Sequence, residues 1–265
     1  MSIAVVTSCS VNGWNDYGRR FVETYIKHWP AEIPLFVVSE DTLPTTKGVT
    51  YLHLSCSESA SLFLTRNDNP RARGRVRKDR DAGWTPNKIA AGYNFRYDAF
   101  RFSKKVFAID YVARNWITGG KLFWIDMDVV TFADISVSML HRLLPPEKAL
   151  CCLDRGQYHS ECGFVGYNLD HQQGMPFVKA FAELYASDKV FKLQEWHDSW
   201  VFDWLRRKST VPTFAIPHQS RRHPFVNSEL GRYMDHLKGN RKAGGTPRRE
   251  IVTNTDVPYW NGARA

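Results

Sequence analysis

The sequence predicts an α/β fold with a largely parallel central sheet, and three observations carry that reading. Short β-branched runs alternate with segments of helical periodicity, the chain opens on a β-α-β unit, and neither an internal repeat nor a second apolar core divides the 265 residues. The whole of 1–265 is therefore expected to be one domain. A basic insertion is expected at 66–80, and a basic C-terminal segment at 217–265 folds back on the main body.

The first strand is expected at 3–7 and the second at 35–39, where β-branched and aliphatic residues cluster. Between them Phe21, Val22, Tyr25, Ile26 and Trp29 fall on one helical face, with Asn15 or Asp16 placed to cap the helix and Pro30 and Pro34 to end it. A third strand at 49–54 shows an imperfect alternation through Val49, Tyr51 and His53. Residues 66–80 then bring seven basic side chains against two acidic ones, together with Pro70 and Gly74, and read as a solvated, mobile insertion. A long helix follows at 93–115, with Phe100, Lys104, Phe107 and Tyr111 at three- and four-residue spacing. Residues 121–125, Lys-Leu-Phe-Trp-Ile, form a buried strand that runs into Asp126-Met127-Asp128. Further strands are expected at 149–153, 163–167 and 211–216, and helices near 175–186 and 198–207.

Composition excludes several classes. Aromatic residues make up 14% of the chain, including nine Trp, and would be costly to leave in water, so general disorder is ruled out. No run approaches the roughly 18–20 apolar residues of a membrane-spanning helix. The opening residues have no basic leader and read as a strand rather than a signal peptide. The five cysteines show no C-x-x-C spacing, which suits reduced thiols and a cytoplasmic protein, in the host cytoplasm if it is viral.

Two carboxylates two residues apart at the end of an apolar strand point the same way, at the edge where open α/β sheets bind ligands. Asp126 and Asp128 would repel each other unless a cation lay between them, and hard oxygen ligands suit Mg²⁺ or Mn²⁺. Downstream, His236, Gly239 and Lys242 form H-x-x-G-x-x-K. An imidazole completes a metal's coordination, glycine lets the backbone approach a ligand, and lysine neutralises phosphate.

With these residues in view, the chain resembles GT-A-fold (Rossmann-like) glycosyltransferases, and its last motif is similar to the C-terminal signature of the glycosyltransferase family 8 type. The resemblance implies that Asp126, Asp128 and His236 hold Mn²⁺ or Mg²⁺ and that Lys242 contacts the diphosphate of a UDP-sugar donor. Cys162-Gly163-Phe164-Val165-Gly166-Tyr167-Asn168 resembles the strand that lines the sugar site, and His197-Asp198-Ser199 falls where such enzymes carry Asp-Gln. Asp198 is thus the candidate catalytic carboxylate, with Asp154 and Glu161 the other acids near a strand end. Thr7, Tyr17, Arg101, Lys105 and Gly239 join Lys242 as candidates for nucleotide contacts, and Trp14, Ser8 and Lys104 lie beside them. The chain departs from the pattern at Ala243-Gly244, where Pro-Trp is usual, at Ser199, and in the basic insertion.

The net charge is +9, and it is unevenly placed. The insertion carries a local +5 and residues 206–249 a local +9, leaving the remainder at −5. Positive charge gathered near a donor site suits a polyanionic acceptor, so the expected partner is DNA. The expected reaction is glycosylation of a hydroxymethylated pyrimidine, as in the phage DNA-modifying enzymes. The alternatives are a transferase acting on lipopolysaccharide, glycan or protein, and a basic nucleic-acid-binding α/β protein without catalysis.

Overall fold

A computed structural model describes residues 2–75 and 92–245. Its central sheet has seven strands, β1 (Ile3–Cys9), β2 (Leu35–Ser39), β3 (Val49–His53), β4 (Lys121–Ile125), β6 (Leu150–Leu153), β7 (Glu161–Asn168) and β8 (Thr213–Ala215), in the order β3-β2-β1-β4-β7-β6-β8. Every neighbouring pair is parallel except those that involve β7, which runs against β4 and β6. Between β4 and β6, β5 (Val129–Thr131) leaves the main sheet to pair antiparallel with β9 (Met234–His236).

Both faces of the sheet are covered, as near-continuous apolar strands require. Ala4, Val6, Leu122, Trp124, Val165 and Tyr167 pack beneath α3 (Glu58–Arg66), α4 (Ala99–Asn115), α6 (Gly174–Ala186) and α7 (Asp198–Lys208). The alternate residues Ile3, Val5, Phe123, Ile125 and Phe164 pack beneath α2 (Arg19–His28) and α5 (Val137–Leu143). A three-layer α/β/α arrangement results, with a largely parallel sheet as its middle layer. No helix among the described residues is long and apolar enough to cross a membrane.

Local chemistry shifted several boundaries. The first helix begins at Ser10, not at Asn15 or Asp16: the Ser10 hydroxyl accepts from Gly13 N and starts a short turn, α1 (Val11–Gly13). A π-helical turn, Trp14–Gly18, links α1 to α2. Ile26, expected on the buried face, is 48% exposed. The long helix starts at Ala99 rather than near Tyr93, because the Asp98 carboxylate caps Arg101 N and Phe95–Tyr97 form a 3-10 turn.

The first part of the basic insertion is anchored to the body, while Arg66, Arg73 and Arg75 keep exposed side chains. Arg66 pairs with Asp188, Ala72 is buried, Arg71 lies over Phe191 and Trp196, and Arg73 sits 3.7 Å from the Phe100 ring centroid. Gly74, at φ +76°, accepts from Asn94 N at 2.8 Å. The C-terminal segment folds back as expected through β9 and α8 (Arg241–Gly244), and Arg20 donates to the Lys242 carbonyl. Residues 76–80 of the insertion and 246–265 of the tail lie outside the described residues.

Candidate active site

The one strand of the described central sheet that runs against its neighbours, β7, starts the site. Because β7 runs against β4, its first residues Glu161, Cys162 and Gly163 arrive beside the carboxyl end of β4, where Asp126 and Asp128 emerge. Asp126 N donates to the Gly163 carbonyl, and Val129 N closes a tight turn onto the Asp126 carbonyl. Pairing of β5 with β9 sets His236 opposite Val129, and Leu237 N bonds the Asp128 carbonyl. Residues far apart in sequence thus meet through backbone register.

His236 Nε2 lies 3.0 Å from Asp128 Oδ1 and 3.5 Å from Asp126 Oδ2. Its Nδ1 lies 3.1 Å from Glu161 Oε1, so an acid stands behind the ring and leaves the front to a ligand. Lys238 pairs with the other Glu161 oxygen. Gly163 makes room for the ring: a Cβ there would collide with Nδ1 and Cε1 of His236. Lys242 reaches Asp128 Oδ2 at 2.5 Å and lies over the Tyr17 ring.

The charges hold one another. Burial would push the His236 imidazole down, but Asp128 and Glu161 outweigh it and raise it to about 9. Burial likewise would raise Asp128 and Glu161, yet His236 with Lys242 and His236 with Lys238 keep these carboxyls well below the usual range. Tyr17 is pushed up to about 12 by burial and then by Asp128. Two carboxylates and an imidazole whose ligand atoms all lie within 4.8 Å of one another are a fitting donor set for a hard or borderline divalent ion. Here the His236 proton and the Lys242 ammonium supply the positive charge that such an ion would bring.

Lys105, expected at the nucleotide, has a buried ammonium that contacts Asp126 Oδ1 at 3.1 Å, the Cys162 carbonyl at 2.6 Å and Asp198 Oδ2 at 2.8 Å. An ammonium has three donors, and all three are engaged. Burial would lower this lysine, but Asp126 and Asp198 hold it above its usual range. Trp124 Nε1 donates to the same Asp126 oxygen at 2.6 Å.

These groups line one cavity of about 970 Å³. Tyr17, Arg101, Lys105, Asp126, Asp128, Asp198, His236, Gly239 and Lys242 all border it. Thr7 does not: it is fully buried in β1, and Ser8, Cys9 and Ser10 after it reach the cavity instead. Trp14 is also buried, edge-on to Tyr51. Asp198, the first residue of α7, is buried against Lys105; the N-cap position before it is held by His197, whose side chain makes no capping bond. Lys104 is taken up by Glu40, and Asp154 by Arg206. Gly239 adopts φ +61° in the turn into α8, a conformation that favours glycine. Sequence reasoning named Glu161 only as a further acid near a strand end, not as the partner of His236, and passed over Glu195 and His159, which contact His197. The alternation Glu195-Trp196-His197 was the one available signal.

No protein-family model and no curated protein sequence matches the chain. Among solved structures, the chain is similar to apo mouse xyloside xylosyltransferase 1, at 12% identity and TM-score 0.49, over 82% of this chain and 85% of that one. It is similar also to the apo bifunctional glycosyltransferase WbbM, at 13% identity and TM-score 0.48, over 99% of this chain and 51% of that one.

Proposed function

We propose that this protein transfers a sugar from a nucleotide sugar, a UDP-sugar by its motifs, to a hydroxyl acceptor with the help of Mn²⁺ or Mg²⁺. The observation that carries the reading is the convergence of Asp126, Asp128 and His236 on one cavity, with Lys242 beside them. Glycosyl transfer expels a diphosphate, so positive charge must meet the leaving oxygens as the bond breaks. A divalent ion held by Asp126, Asp128 and His236 would supply Lewis acidity there. Lys242 would swing from Asp128 to the diphosphate once the ion neutralises that carboxylate. Tyr17 offers its ring to the nucleotide, Arg101 a second cation, and Gly239 an unobstructed backbone. Asp198, fixed by Lys105, faces the cavity as the carboxylate that positions the reacting sugar or its acceptor.

For the acceptor we favour a hydroxymethylated pyrimidine in DNA, in the cytoplasm. Support comes from Arg75, Arg101 and Arg155, which border the cavity and suit phosphate contacts. The donor reading is tested by thermal unfolding with UDP and Mn²⁺. At ligand near 100-fold its Kd the gain is about 2.7 kcal/mol, or roughly 5–10 °C in Tm. Asp126→Asn should abolish it, and absence of any metal-dependent gain with every nucleoside diphosphate would sink the transferase reading. For the acceptor, a hexose or pentose mass increment on hydroxymethylpyrimidine nucleosides after incubation with UDP-sugars and modified DNA is expected. Transfer only to glycans, with no salt-sensitive DNA binding, would replace DNA with a glycan.

A further inference from the structure

At the cavity's edge lies a second group of ligand-type side chains, two of which, His159 and His197, line it. His197 Nε2 lies 2.9 Å from Glu195 Oε2, and His159 Nε2 lies 3.4 Å from that same oxygen. The three ligand atoms fall within 4.8 Å of one another. In a tetrahedral zinc site, bonds of about 2.0–2.2 Å set ligand atoms about 3.3–3.5 Å apart, so only small side-chain rotations separate these groups from a coordinating set.

The set is held in place from behind. Trp196, between the two ligands, is fully buried; its N donates to the Arg96 carbonyl at 2.7 Å and its carbonyl accepts from Tyr185 Oη at 2.8 Å. Glu195 and His197 meet each other at 2.9 Å while Trp196 between them is buried in the core. The His197 ring sits among Phe95, Phe102 and His159. Arg96 Nη1 approaches the other Glu195 oxygen at 3.4 Å and leaves Oε2 to the histidines. His159, 34% exposed in its side chain, and His197 both border the cavity.

We propose that His159, Glu195 and His197 bind one Zn²⁺ ion whose open coordination position faces the cavity. Two imidazoles and one carboxylate favour zinc over magnesium or calcium. Three protein ligands with a fourth position open to solvent are the arrangement of zinc sites that take water or a substrate oxygen. The site shares no ligand with Asp126, Asp128 and His236, so it stands whether or not the transferase reading holds.

The test uses the full chain, stripped of metal by chelator, in the Asp126→Asn/Asp128→Asn background that silences the first group. Zinc titration against a chromogenic chelator should give one ion per chain. Adding His159→Ala, a partly exposed position that should leave the fold intact by circular dichroism, should weaken binding at least about tenfold. Should the double variant fail to fold, Co²⁺ added to the otherwise unaltered chain gives the same answer. Intense visible bands of tetrahedral cobalt are expected, lost in His159→Ala and in Glu195→Gln. No zinc in the folded double variant, or unchanged zinc affinity or cobalt bands after His159→Ala, would show that the imidazoles only hydrogen-bond Glu195 and would overturn the proposal.

Discussion

At the scale of single residues, the site depends on side chains that never need to touch a substrate. Lys105 joins Asp126 to Asp198 and to the carbonyl of Cys162, so it ties together the end of β4, the start of β7 and the start of α7. Replacing it by Met leaves two carboxylates facing each other without their cation. Removing one partner of a buried ion pair typically costs about 3–5 kcal/mol, and urea denaturation of Lys105→Met should show a loss of that order. Gly163 acts through space rather than charge. Gly163→Ala pushes a methyl into the His236 ring, which cannot retreat because Glu161 and Phe225 stand against it. Overpacking costs about 1–3 kcal/mol; beyond that, the Tm gain from Mn²⁺ with UDP should fall or vanish, whereas a packing defect alone would leave that gain intact. Asp126, Asp128, His236 and Lys242 were legible because their spacing is written along the chain. The parts of Lys105, Glu161 and Gly163 were not, since each depends on which strand lies next to which, and no local pattern records that β7 runs backwards.

At the scale of elements, periodicity located most strands and helices because burial on one or both faces leaves a trace every two or three to four residues. It failed where a single polar group decides an end. Ser10 starts its helix before the apolar stripe begins, and Asp98 delays α4 by accepting from Arg101 N and from Tyr93 Oη. The Arg-rich stretch misled for a different reason. Arg71 and Arg73 lay their guanidinium groups on Phe191, Trp196 and Phe100, so a stretch whose charges stay solvated is also anchored through its aromatic neighbours. Helix α4 packs its aromatic face closely: Phe107 is fully buried, with Phe63 and Tyr185 against its ring. Phe107→Ala should cost about 3–5 kcal/mol through the cavity it leaves. The effect should appear as a lowered denaturation midpoint, and a loss below about 1 kcal/mol would mean that this layer collapses to fill the space.

At the scale of the whole molecule, the net charge of +9 conceals a cavity in which acids and bases are locked in pairs, and that arrangement sets the response to pH. Asp128, Glu161 and Glu195 are all held below their ordinary values, Glu195 at about 2 by His159, His197 and Arg96 against the opposing effect of burial. Groups lowered on folding stabilise the fold above their unfolded values near 4, and that contribution is lost as pH falls toward 2. His236 acts in the opposite sense. Raised from 6.5 to about 9, it stabilises fully below pH 6.5, and the contribution drains away as pH climbs through 9. The metal-free protein should therefore be most stable near pH 5–6.5 and lose on the order of 3 kcal/mol between pH 6.5 and 9. Mn²⁺ should reverse the trend, because coordination needs the neutral imidazole and expels its proton, so metal affinity should rise about tenfold per pH unit up to 9. Denaturation in chelator and in Mn²⁺ across this range separates the two effects. A flat metal-free profile from pH 6.5 to 9, or an alkaline loss that persists in His236→Gln, would show that His236 is not held as its neighbours indicate.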